Sequence, residues 1–219
     1  LVNFYTARPQ RKINKMNLNF LNKRILAFIL ISFSTVVFAG LAPDELVRKT
    51  SDDVISAIKN DKDIQGGNKE KIFKIAEEKI LPNFDFEKIS RLVLGKAWRS
   101  ATEEQKTNFK SEFRALLLRT YSVALSKYKD QGIDIKPMRM QPTDEIVTVK
   151  TEIVQTGAQP IKVDYALAKD GDSWLVFDIV IEGVSLVTNY RSQFASEIKA
   201  SGMNSLNEKL AEKNKSNKD

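Results

Sequence analysis

At Ile133 the spacing of apolar residues changes from a helical period near 3.6 to a strand period of 2, and this switch constrains the fold more than any other feature. Before it, the apolar residues recur as they do on helices. Val47, Thr50, Val54 and Ile58 follow Pro43, which suits a first helical position, and Asp44 and Glu45 sit where a helix dipole is positive. Gly66 and Gly67 break the pattern. A second helix is expected from about Asn68, with Ile72, Phe73, Ala76 and Ile80 on one face and Pro82 as its stop. A third, from about Asp85, carries Phe86, Ile89 and Val93 before Gly95. The longest opens on Thr102 and Gln105, spaced as a capping box. Its apolar stripe runs through Phe109, Phe113, Leu116, Leu117, Thr120, Tyr121, Ala124 and Tyr128 to Gly132.

Beyond the switch, Ile133 to Met140 contains Pro137 and belongs at a sheet edge. Val147, Val149, Thr151 and Ile153 alternate with polar neighbours, as do Ile161, Val163, Tyr165 and Leu167. Asp170-Gly171 reads as a hairpin turn leading into Ser173 to Ile181. The expectation is a four-stranded antiparallel meander with one face buried, preceded by helices, which is an α+β domain. Helical spacing returns after Gly183 with Leu186, Val187, Tyr190, Phe194 and Ile198. Gly202 then interrupts it before a short final helix using Leu206 and Leu210. Lys213 to Asp219 is polar and is expected to be a disordered tail.

The N-terminal residues read as an export signal. Lys23 and Arg24 precede the apolar run Ile25 to Val37, and Val37-Phe38-Ala39 is a small-residue cleavage site. The run is shorter than the roughly 20 residues that span a bilayer. Residues 1 to 39 are thus read as upstream sequence plus a cleaved signal, with Met16 as the true start and the mature chain beginning at Gly40 or Leu41. Residues 40–212 are expected to form a single domain. The absence of Cys after the cleavage site excludes a lipid-attached lipoprotein.

This reading changes what the charge means. Of 35 basic residues six lie in residues 1 to 39, which hold no acid, so 29 remain against 28 acidic and the mature net charge is only +1. A nucleic-acid footprint is therefore not supported. With no His and no Cys, neither a Ser-His-Asp or Cys-His system nor the usual zinc site can be built. No Gly-rich phosphate-binding motif occurs. The inventory favours binding over catalysis, with no cofactor and no metal.

Two blocks carry a resemblance. The first is Ile80-Leu81-Pro82, then Asp85-Phe86, then Arg91-Leu92-Val93-Leu94-Gly95-Lys96-Ala97-Trp98-Arg99 with Ala101-Thr102-Glu103-Glu104-Gln105-Lys106. The second is Trp174 and Phe177-Asp178-Ile179, then Glu182-Gly183-Val184-Ser185-Leu186-Val187 and Tyr190-Arg191-Ser192-Gln193-Phe194. In order and spacing these resemble the MlaC family, the toluene-tolerance auxiliary proteins, over roughly residues 43 to 212. The resemblance implies a soluble periplasmic carrier that ferries phospholipid between an outer-membrane lipoprotein complex and an inner-membrane ABC transporter complex, as a monomer. It also implies a cone-shaped, NTF2-like fold in which helices and a curved antiparallel sheet enclose an apolar cavity.

For such a carrier the wall is expected to comprise Val147, Val149, Ile153, Ile161, Val163, Tyr165 and Leu167, faced by Phe113, Leu117 and Tyr121 of the long helix. The same residues could instead fill a collapsed core. Asp178 and Glu182 interrupt an apolar strand. Strict alternation puts them with Trp174, Val176 and Val180 on a partly solvated face paired with Lys or Arg. The alternative is a general base of raised pKa in a small hydrolase or isomerase. A periplasmic chaperone for hydrophobic clients would use a similar groove. Trp98 and Trp174 are expected in the core.

Overall fold

Helix α1 (Pro43–Asn60) buries Val47, Val54 and Ile58, the residues whose spacing predicted it. After α2 (Lys62–Gln65), Asn68 caps α3 (Lys69–Ile75), its side-chain oxygen accepting from the Lys71 N–H at 3.1 Å. The second predicted helix does not run regularly to Ile80. It widens into a π-helical turn, Ala76–Ile80, and tightens into a 3-10 turn, Leu81–Asn83. Pro82 explains the change, since it supplies no N–H and its ring crowds the carbonyl four residues back. Asn83 repairs the gap by donating from Nδ2 to the Lys79 carbonyl and to Thr50 Oγ1 of α1, both at 3.0 Å.

Asp85 caps α4 (Phe86–Leu94), accepting from the Lys88 N–H at 2.8 Å, and α5 (Lys96–Ser100) follows. The capping box before α6 (Glu103–Ser126) closes in both directions: Thr102 Oγ1 accepts from Gln105 N–H at 3.2 Å, and Gln105 Oε1 accepts from Thr102 N–H at 3.0 Å.

This computed structural model describes residues 40–126, 128 and 130–216. The export signal and Met16 lie outside the described residues, as do the last three residues of the expected tail.

The sheet has five strands, not four, in the order β1 (Gly132–Ile135), β2 (Ile146–Val154), β3 (Ile161–Asp170), β4 (Ser173–Ile181), β5 (Val184–Ser185), every neighbour antiparallel and the sheet open. The additional strand is two residues long, too short to show a period. It is made by a tight turn in which Glu182 and Gly183 both take left-handed φ, 49° and 80°, as two-residue hairpins require.

A bulge in β4 changes its parity. Leu167 pairs with Val176 but Ala166 pairs with Asp178, so Phe177 is the extra residue. Trp174 and Val176 therefore share their strand parity with Ile179 and Ile181, and Asp178 falls on the other, although the bulge brings Phe177 and Asp178 to the cavity border as well. This corrects the strict alternation expected for Asp178 and Glu182.

Helix α7 (Leu186–Ser216) is two helical stretches joined across a kink at Gly202, whose φ of 83° leaves the helical path as the sequence predicts. It also extends past Lys213, where a disordered tail was expected. Asn207 and Asn214 are buried on this helix, and their Nδ2 groups donate to the Gln105 and Glu112 carbonyls of α6 at 3.0 and 2.9 Å. Those bonds hold the end of α7 on α6.

Four packed clusters surround what remains open, one of them Ala76, Leu81 and Leu118. Ile89, Val93, Phe109, Phe113, Leu116, Phe194 and Leu206 join α4, α6 and α7. Val147, Val149, Leu167, Trp174 and Val176 of the sheet pack on Val47 of α1. Val54, Ile58, Ile64 and Ile72 join α1, α2 and α3. Helix α6 packs chiefly on α7, α3 and α4 rather than on the sheet, and the space left between α6 and the sheet is the site.

Candidate functional site

That space is a cavity of about 550 Å³, within the range of roughly 300–1,000 Å³ usual for ligand sites. Leu46, Val47, Val54 and Ile58 of α1 form one wall. The irregular segment supplies Ala76, Ile80, Leu81, Phe84 and Phe86. Helix α6 contributes Phe113, Leu117, Tyr121 and Leu125, the sheet Ile153, Ile161, Val163, Tyr165, Val176, Ile179 and Ile181, and the first turns of α7 Leu186, Val187 and Tyr190.

The cavity has a closed end and an open one. At the closed end Val47 and Val176 belong both to its lining and to the cluster with Val149, Leu167 and Trp174, against which Tyr165 and Phe84 also pack. At the open end the lining includes Gln131, Ile133, Gln155 and Ile161, and Ile161 and its neighbour Val154 are 37% and 43% exposed. Helix α1 lines the cavity from Val47 to Ile58. Eleven residues at about 1.5 Å each make this wall roughly 17 Å long.

Among the described residues no Lys or Arg lines the cavity, and Asp178 is its single carboxylate. Both Asp178 oxygens are engaged at the head of α7, one accepting from the Ser185 hydroxyl and the other from the Val187 N–H at 3.0 Å. Ser185 Oγ in turn accepts from Thr188 N–H at 3.0 Å. Asp178 therefore braces the helix cap instead of pairing with Lys or Arg. Glu182 accepts from the Lys162 backbone N–H across the sheet and does not line the cavity.

The remaining polarity comes from Tyr121, Tyr128, Tyr165 and Tyr190 and from short hydroxyl and amide side chains such as Thr50, Asn83 and Gln131. Burial pushes the Tyr190 phenol up to about 12, with the adjacent hydrogen-bonded Tyr121 adding to the shift. Burial likewise raises Tyr121 and Tyr165 above the ordinary tyrosine value. All three are neutral at physiological pH, and the lining of the cavity stays apolar and nearly uncharged.

Seven of the ten residues expected to form the wall do line the cavity: Phe113, Leu117, Tyr121, Ile153, Ile161, Val163 and Tyr165. Val147, Val149 and Leu167 do not. They continue the same strand faces but lie beyond the closed end, packed with Trp174 and 8%, 0% and 0% exposed. Alternation identifies a face, not the point along it where packing begins. The α1 wall and the Ala76–Phe86 segment were read only as helix faces, since a residue bordering a void has the same apolar signature as one in a core. Trp174 is in the core, as expected, while Trp98 is half-buried under the Lys106 ammonium, 5.2 Å from its ring centre.

The sequence profile of the family described as MlaC protein matches residues 48–212. The intermembrane phospholipid transport system binding protein MlaC of Haemophilus influenzae is 26% identical over 202 residues, covering 89% of this chain and 94% of that protein. The toluene tolerance protein ttg2D of Pseudomonas putida is 25% identical over 181 residues, 82% of this chain and 84% of that one. Among solved structures, the phospholipid-binding protein from Ralstonia solanacearum, in complex with a phospholipid, superposes with a TM-score of 0.77 at 34% identity, covering 82% of this chain and all of that one. With the family profile spanning most of its length, and an open α+β frame around an apolar cavity, the chain belongs to the MlaC family.

Proposed function

We propose that this protein is a periplasmic phospholipid carrier, exported by a cleaved signal and working as a monomer. It takes up the acyl chains of a diacyl phospholipid and carries them between an outer-membrane lipoprotein complex and an inner-membrane ABC transporter complex. It needs no cofactor and performs no chemistry. The helices and sheet are read as a variant of the cone-shaped, NTF2-like arrangement, with the cone's interior left for the ligand. The observation that carries this reading is an apolar cavity of about 550 Å³ lined, among the described residues, by neither Lys nor Arg.

Each methylene removed from water contributes about 0.8 kcal/mol, and two acyl chains hold roughly thirty, so a lipid cannot cross an aqueous compartment unshielded. The length of the α1 wall is close to one leaflet's share, about 15 Å, of a hydrocarbon core about 30 Å thick. Exchange with a membrane then swaps one apolar environment for another, and loading is reversible without covalent steps. With no Lys or Arg among the described lining residues, a charged headgroup stays at the open end, in water. Native mass spectrometry with organic extraction of protein from a bacterial periplasm tests the reading. About one diacyl phospholipid per chain is expected. Protein that neither carries nor accepts glycerolipid, yet binds unfolded polypeptide, refutes it.

A further inference from the structure

We propose that the ring of Tyr165 is the stop that sets how far an acyl chain enters, and so which chain lengths the cavity accepts; this rests on the phospholipid reading above. On β3 the successive inward positions Ile161, Val163 and Tyr165 line the cavity. The next, Leu167, is wholly buried against its surroundings. The border between open and packed space therefore falls between two adjacent inward residues, a step of about 6.8 Å along the strand.

The same border crosses the flanking strands. On β2 Ile153 lines the cavity and the next inward residue, Thr151, is buried and does not; on β4 Val176 lines it and Trp174 is packed. Thr151 stands opposite Val163, and Val176 opposite Leu167, so the border runs obliquely across the sheet with the Tyr165 ring on its middle strand. Of the lining residues on β2 and β3, Tyr165 alone is aromatic; on β4 the bulge residue Phe177 also lines the cavity.

The hydroxyl of Tyr165 has no hydrogen-bond partner among the described residues, and burial is the cause of its raised pKa. It is nevertheless not sealed in packing, so what remains accessible of this deeply set residue faces the cavity. A chain entering past Ile161 thus meets the phenol end-on, and the terminal methyl rests there.

The test loads full-length, delipidated protein from a ladder of synthetic diacyl phospholipids that share one headgroup and differ only in saturated chain length, read by native mass spectrometry. With C–C bonds near 1.5 Å at tetrahedral angles, a chain advances about 1.3 Å per methylene, so the step to Leu167 holds up to about five carbons. Tyr165→Ala should move the preferred length upward by two carbons or more, and Tyr165→Phe, which keeps the ring, should leave it in place. Val47→Leu narrows the closed end from the opposite wall and should move the preference downward, which keeps the test decisive if Tyr165→Ala does not fold. An unchanged preference in Tyr165→Ala and Val47→Leu overturns the stop alone, as does a wild-type protein that loads every length equally. Wild-type protein that takes no member of the ladder overturns the phospholipid reading and the stop with it.

Discussion

Leu117 and Val149 are apolar positions that a pattern reading treats alike, yet one borders the cavity and the other lies in close packing, so the same charge should do different damage at each. In Leu117→Arg the guanidinium enters a space that holds water when no ligand is bound, and its stem can lie along apolar wall. The fold should survive. Bound acyl chain must then give up the volume the side chain occupies, on the order of five methylenes, which at about 0.8 kcal/mol each is about 4 kcal/mol, or roughly a thousandfold in affinity. Val149→Arg has no such space. An unpaired charge there costs several kcal/mol even after relaxation, comparable to the whole stability of a domain at about 5–15 kcal/mol. Urea unfolding should show Leu117→Arg folded with little loss in midpoint, and native mass spectrometry should show it empty. Val149→Arg should be largely unfolded. If Leu117→Arg unfolds as completely as Val149→Arg, or stays folded and fully loaded, the distinction between cavity and core drawn here is wrong.

Two further outcomes follow from the polar groups around the cavity. The folded-state pKa of Tyr190, about 12, lies above the unfolded value near 10, so the unfolded chain releases its proton first and the stability present below pH 10 falls as pH rises to about 12. In Tyr190→Phe that decline, followed as the urea midpoint against pH, should be shallower; an identical decline in both proteins counts against the buried phenol as its source. Asp178→Ala removes the brace under the head of α7 and should cost about 1–2 kcal/mol in urea unfolding while phospholipid loading persists. Lost loading at unchanged stability would instead make the carboxylate a ligand-contacting group.

What pattern could reveal was decided by how local its cause was. The caps at Asn68, Asp85 and Thr102, the Gly171 turn and the period change at Ile133 involve side chains a few residues apart, and each element formed where those signals stand. The bulge at Phe177 leaves no local mark, because an inserted residue shows only against the partner strand, and with it went the expected face of Asp178. The widened turn at Ala76–Ile80 was hidden for a related reason: Pro82 announces a stop but not how the preceding turn yields to it. The cavity itself was legible as a face and not as a volume. Ile153, Ile161, Val163 and Tyr165 were chosen correctly as lining, whereas Val147, Val149 and Leu167, equally apolar and equally spaced, lie past the closed end.

The placement of that closed end has a mechanical meaning. Half of each long strand is a solid foundation with its own interlocked side chains, and only the other half borders the hollow. Removing the guest therefore leaves the foundation untouched, and the vacant vessel should keep its shape instead of collapsing. A shuttle spends part of every round trip without cargo. Building the container beside the keel, instead of out of it, lets it return empty and still seaworthy.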